Sequence, residues 1–276
     1  MKKDKKKKLM ANNSGVVGIV ATVLLIGLII TFVGIVQTVH VPNWLKQKEA
    51  HHMNDVQTQF TQLKYTMDVL SLLEEHVSIA NYITLGTEEL PILNTGRTYD
   101  TLEILDDNFE ITFSNATDSF SLTTSGILYS SKNSHFVDQI ICLEAGTLIL
   151  SQSPHSILLG QPLFSITNYT NVSLWLYDIQ GLEGKSFVSG YGTYILSNEF
   201  ISRTTHSLTD VTSINISTDY PEAWGDFFNS SAFVNSGLTY SMTLGNQTLD
   251  IEYSISLGNF DIEVIDIRSQ LAIWRY

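Results

Sequence analysis

The chain has 276 residues, enough for one large domain or two small ones with a real core, and a formal net charge of −13. Residues 1–8 hold six Lys and one Asp, so the remainder sets nine Lys and Arg against 27 Asp and Glu. That balance excludes a nucleic-acid binder and a head drawn to anionic lipid surfaces. Cys142 is the single cysteine, which excludes an intramolecular disulfide, and its apolar setting (Ile140, Ile141, Leu143) reads as a buried, inert thiol.

Residues 1–14 form a basic, polar leader. Residues 15–41 follow as an apolar run without Asp, Glu, Lys or Arg. As a helix rising ~1.5 Å per residue, its 22 apolar or small residues at 15–36 reach roughly 33 Å, enough to cross a hydrocarbon core of about 30 Å. The run is longer than the apolar region of a signal peptide, and no Ala-x-Ala follows it. The lysine excess predicts a cytoplasmic N-terminus, a single-pass anchor in the cell membrane and an extracellular C-terminal domain. Gly15, Gly18, Gly27 and Gly34 read either as ordinary span composition or as points of close helix approach.

Pro42 predicts a kink at the membrane surface, with Trp44 as an interfacial aromatic. Residues 42–85 read as an amphipathic helix continuing from the span. Met53, Val56, Phe60, Leu63, Met67 and Leu70 recur at spacings of three and four, and no Pro or Gly interrupts 44–83. Gly86 is its expected end. The adjacent His51 and His52 read as part of a solvated face rather than a metal site.

From residue 86 the period changes to two. Strand-like runs fall at 101–105, 109–114, 119–123, 125–130, 137–143, 147–151, 163–166, 172–179, 190–197, 211–217, 238–244, 248–257 and 261–274. Turn residues separate them, among them Ala145-Gly146, Gly245-Asn246 and Gly258-Asn259. One short helix is predicted over 220–228, with Pro221 in its first turn and Asp219 as its cap. The fold class is therefore α+β. A long N-terminal transmembrane and amphipathic helix precedes a mainly antiparallel, β-sandwich-like extracellular domain over 86–276.

The motifs that carry chemistry are absent. No His-Glu-x-x-His or Gly-x-Ser-x-Gly occurs. Gly184-Lys185-Ser186 lacks the upstream glycine of a phosphate loop, since position 179 is Ile, and reads as a hairpin turn. Asp106, Asp107, Asn108 and Glu110 read as an acidic turn more readily than as a Ca²⁺ site. No catalytic residue, metal ligand or cofactor site is assigned. Asn-x-Ser/Thr acceptors for glycans lie at Asn115, Asn168, Asn171, Asn215, Asn229 and Asn246, with Asn12 on the cytoplasmic side.

The layout of lysine-rich leader, apolar helix, amphipathic continuation and disulfide-free β head resembles type IV pilin-like proteins. It is similar in particular to archaeal surface proteins of that plan. The stretches that carry the likeness are Val41-Pro42-Asn43-Trp44, Ser125-Gly126-Ile127-Leu128-Tyr129, Glu144-Ala145-Gly146-Thr147 and Tyr220-Pro221-Glu222-Ala223-Trp224. The resemblance implies a prepilin-type peptidase cutting at Gly15–Val16. It also implies a lipid bilayer, or other pilin-like subunits, around the apolar helix. The resulting expectation is a non-enzymatic structural or adhesive surface component. The alternative is a single-pass anchored ligand-binding or sensor ectodomain.

Overall fold

The structure is a computed structural model that describes residues 13–73, 77–87, 98–167 and 171–273. The chain begins with α1 (Asn13–Ile35), passes through a π-helical turn (Val36–His40) and continues as α2 (Val41–Leu73). The helix runs on through Pro42 instead of breaking there. Proline has no N–H to give and crowds the carbonyl four residues back. The wider π turn just upstream absorbs that crowding, and the Val41 amide donates to the Val36 carbonyl across it.

The helix expected over 42–85 ends at Leu73. A strand, β1 (Ser78–Leu85), takes up the second part of that segment. Its residues alternate in exposure, with Ile83 and Leu85 buried and Ser78, Ala80 and Tyr82 exposed. Pairing with a later strand has overridden a stretch whose lack of Pro and Gly had left helix open to it.

The other strands are β2 (Asp100–Ser114), β3 (Ser119–Ser130), β4 (Ile140–Glu144), β5 (Thr147–Gln152), β6 (His155–Gly160) and β7 (Phe164–Thr167). They continue with β8 (Asn171–Gly181), β9 (Phe187–Gly190), β10 (Gly192–Ser217), β11 (Tyr240–Leu244) and β12 (Thr248–Ile273). Two short helices, α3 (Pro221–Phe228) and α4 (Ser231–Val234), lie between β10 and β11. Several runs read as separate strands are single long ones. β10, which starts at Gly192, joins most of the run 190–197 to 211–217, and β12 joins 248–257 to 261–273. Gly258-Asn259 is accordingly not a turn. Asn259 pairs with Thr209 on one side and Asn171 on the other. Position 274 lies outside the described residues. The segment read as a hairpin turn around Gly184 leads into β9, which pairs with the start of β2.

All twelve strands among the described residues belong to one sheet, in the order β6-β5-β4-β3-β2-β10-β12-β8-β7, with β1 beside β10, β11 beside β12 and β9 beside β2. Every pairing is antiparallel except β8 with β12. The sheet curls. The Ser125 amide on β3 donates to Asp178 on β8 at 2.9 Å, although three strands separate them along the sheet.

Two apolar cores sit on opposite faces of this sheet. On β4, Ile141 and Leu143 enter one core and Cys142 the other; on β5, Leu148 and Leu150 enter one and Ile149 the other. Burial on both faces is why these strands read as unbroken apolar runs. The first core packs on the α2 seam, Met53 to Leu70, all of it buried. The second is built on α3, where Trp224, Phe227 and Phe228 join Phe109, Phe113 and Phe233.

Candidate functional site

The most unusual surface is α1. Its central window has a mean hydropathy of 3.0 and no residue buried. Leu24 and Leu28 are 69% and 67% exposed, a state that water would penalise along the whole helix. The polar groups inside it are satisfied locally. Thr22, Thr31 and Thr38 donate their hydroxyls to the carbonyls of Gly18, Gly27 and Gly34, one turn back. That is the arrangement required where no water is at hand. A methyl group at Gly18, Gly27 or Gly34 would touch nothing within 4 Å, so nothing inside this chain calls for glycine there. Gly15 and Val16, the expected cleavage position, lie within the first turns of α1.

A series of buried polar contacts mounts the helix on the head. The Glu49 carboxylate accepts three successive backbone amides, from Ser134 at 3.1 Å, His135 at 2.7 Å and Phe136 at 2.6 Å. One turn further, His52 Nε2 lies 3.1 Å from both Asp100 Oδ2 and Tyr129 OH. Asp100 also accepts the amides of Gly86 at 2.7 Å and Lys132 at 3.1 Å, and the Tyr129 hydroxyl donates to it. Burial works against the Asp100 charge, but these hydrogen bonds outweigh it and hold the carboxyl below its ordinary range. Gly86 needs to be glycine: its φ is +63°, and a Cβ would stand 2.3 Å from the Thr98 carbonyl oxygen.

Higher on α2, Asp68 accepts from Lys64 and from the Tyr177 hydroxyl, both at 2.6 Å. Burial pulls the Lys64 pKa down, against the opposing pull of Asp68. Thr66, Asn81, Asn198 and Ser269 form a chain of side-chain hydrogen bonds linking α2, β1, β10 and β12. At the end of the helix Arg203 Nη2 donates to the Ser71 carbonyl at 2.7 Å, meeting an acceptor the last turn leaves open.

The α3 core has its own buried carboxylate. Glu144 Oε1 accepts from Thr218 Oγ1 at 2.6 Å and Trp224 Nε1 at 2.8 Å; Oε2 accepts from Asn108 Nδ2 at 3.2 Å. Burial pushes the Glu144 carboxyl up to about 7; the hydrogen bonds from Thr218, Trp224 and the Cys142 thiol only partly offset it, and Asp219 adds repulsion.

Sequence reasoning missed most of this. The His51-His52 pair divides. His51 is exposed beside Asp55, whereas His52 is buried on Asp100. Glu49 and His52 fall on the phase of the apolar seam extended back from Met53, a signal present in the spacing. The acidic run at 106–110 is a bulge in β2, where Asp107 has φ 51° and Asn108 turns inward to Glu144. Among the described residues no three His, Cys, Asp or Glu side chains come together to hold a metal ion. Asp219 does not cap α3; the cap position is Tyr220, without a side-chain hydrogen bond.

The glycan acceptors scatter over the head. Asn115 sits in the turn between β2 and β3, and Asn229 and Asn246 are exposed in turns. Asn171 is half-buried at the start of β8. Asn215 lies within β10 with its amide bound to Asp250. Asn168 and Asn12 lie outside the described residues.

Fold and surface together define an α+β protein in which one helix, long and apolar enough to cross a membrane, carries a β-rich head. The chain belongs to a family of unknown function (DUF7289), whose model matches residues 14–247. No curated protein and no solved structure matches it.

Proposed function

We propose that this is a non-enzymatic, pilin-like surface protein, structural or adhesive in role. In this reading α1 is held in the membrane, or in the core of a filament of like subunits, with the leader cytoplasmic and the head outside. The two-faced, sandwich-like head is then a rigid display platform that carries N-linked glycans. One observation carries the reading. An exposed apolar helix continues, without a break in helical structure, into a helix whose other half is fastened to the head by buried contacts. The head therefore stands on the span as one rod, an arrangement suited to transmitting position and load rather than to catalysis.

Intact mass and N-terminal sequencing of the protein from its own cells test the reading. A mature chain starting at Gly15 or Val16, with filaments on the cell surface, is the expected result. A chain that keeps its lysine leader overturns pilin-type processing and leaves a permanent anchor. As an independent check, Ile26→Arg should cost about 2.5–3.5 kcal/mol of insertion, read as loss from the membrane fraction. An unchanged fraction contradicts the span.

A further inference from the structure

The structure separates the glycan acceptors, and one of them opens beside a small, largely apolar depression. Asn115 opens the four-residue turn between β2 and β3, closed by a hydrogen bond from its amide to the Asp118 carbonyl at 3.0 Å. Its side-chain oxygen accepts the amides of Thr117 at 2.9 Å and Asp118 at 2.7 Å, so the oxygen end is fixed inward. The nitrogen end reaches the Thr209 carbonyl only at 3.5 Å. The Thr117 hydroxyl, the third residue of the acceptor motif, donates to the same Asn115 oxygen at 3.2 Å.

Beside this turn is a small, open depression of about 70 Å³ that Asn115 itself lines. Phe113, Phe120, Leu208 and Val211 line it, together with Asp118. The Phe120 ring is backed by His206, ring centroids 4.8 Å apart. That is far below the ~300–1,000 Å³ of sites for free small molecules, so a sugar tethered at Asn115 lies across the mouth of the depression rather than inside it. The tether lowers the entropic cost of that contact.

We propose that Asn115 is a glycan attachment site and that the first sugar lies across this depression. The apolar C–H face of the sugar packs on Phe120, and its hydroxyl or N-acetyl N–H groups reach Asp118. The inference rests on the reading that the head is outside the cytoplasm. The donor is a polyprenyl-phosphate-linked oligosaccharide. The Asn115 Nδ2 forms a bond to C1 of the sugar as the bond from C1 to the phosphate oxygen breaks. The lipid phosphate leaves with that electron pair, and the proton lost from Nδ2 passes to a basic group of the transferase. Asn215, tied to Asp250 between two paired strands, is a poor acceptor in the folded head. Glycans on the exposed Asn229 or Asn246 would extend into solvent.

Glycopeptide mass spectrometry of the protein from its own cells, combined with thermal unfolding, tests this. Asn115 is expected to be occupied. Thr117→Ala should remove that glycan and lower the unfolding midpoint by roughly 2–4 °C. The shift should be smaller when the same substitution is made in protein from a host lacking the transferase, and should shrink equally in a Phe120→Ala background. Modification of Asn229 or Asn246 with Asn115 bare overturns the proposal. An undiminished shift in the Phe120→Ala background overturns the seating of the sugar. If no acceptor is modified, protease treatment of intact cells separates the two failures. A digested head refutes the glycan alone, and a protected head refutes the external placement on which it rests.

Discussion

The two cores of the head use one sheet and different means of fixing a helix to it. Against α2, the buried acids Glu49 and Asp100 are held largely by backbone amides, and these belong to loops at residues 86 and 132–136. Against α3, the buried acid Glu144 is held by side chains, from Thr218, Trp224, Asn108 and Cys142. The consequences differ in sign. The Asp100 charge is favoured in the fold, and the Glu144 charge is disfavoured. The α2 side therefore fixes a direction, the line of the rod, with polar contacts, whereas the α3 side relies on aromatic packing, with Phe109 stacked on Trp224 at 4.8 Å.

The sharpest way to break the contrast is Asp100→Ala. It strips the partner from two amides, a tyrosine and a histidine at a fully buried site, and should cost about 3–5 kcal/mol in urea unfolding. Because β3, β4 and β5 serve both cores, Trp224 fluorescence and far-ultraviolet dichroism should lose their signals together. Separate transitions would mean that the cores are independent.

Next in size is pH. Glu144 has a folded pKa above its unfolded value, so the fold holds the proton more tightly. Stability from this group is greatest below about pH 4.5 and falls as pH rises toward 7, by about 3 kcal/mol in all. Asp100 runs the other way. Its contribution is present above about pH 4 and is lost as pH falls through the depressed folded value. Urea midpoints for the native chain should therefore decline between pH 5 and 8, and Glu144→Gln should flatten that decline. An equal slope in both chains would remove Glu144 as its source.

A smaller effect, about 1–3 kcal/mol, is expected for Trp224→Phe, which keeps most of the ring and removes the donor to Glu144. Arg203→Ala should cost about 1–2 kcal/mol by uncovering the Ser71 carbonyl at the end of α2. Amide hydrogen exchange should show its loss of protection concentrated in the last turns of that helix. Uniform loss across the head would argue against a capping role.

Much of this architecture is legible in the residues. The seam from Met53 to Leu70, the turns at Ala145-Gly146 and Gly245-Asn246 and the helix after Pro221 follow from local pattern. Ala145 and Gly146 both have positive φ, as a tight hairpin turn requires. Local pattern stops where partners are remote. The end of α2 is set by a strand pairing with β10 and by Arg203, 132 residues beyond Ser71. The polar middle of β10, with Ser202, Thr205 and Ser207, carries no apolar alternation because its hydroxyls bond to Asp266, Glu263 and Asp261 on β12. The buried acids were hidden for the same reason. Trp224 lies 80 residues from Glu144, and Asp100 lies 48 from His52.

The rod itself is tested most directly by single nitroxide labels placed at Leu28 and Tyr65 in membranes from expressing cells. Cys142 does not compete for the label, since burial raises its thiol pKa and shields it. Both positions are exposed to a similar degree, 67% and 69%, so a difference between them reports the medium and not the fold. The expected result is that a water-soluble relaxation agent reaches Tyr65 freely and Leu28 hardly at all. Equal access at the two positions would contradict an apolar setting for α1 and, with it, the reading of this protein as a head standing on an embedded helix.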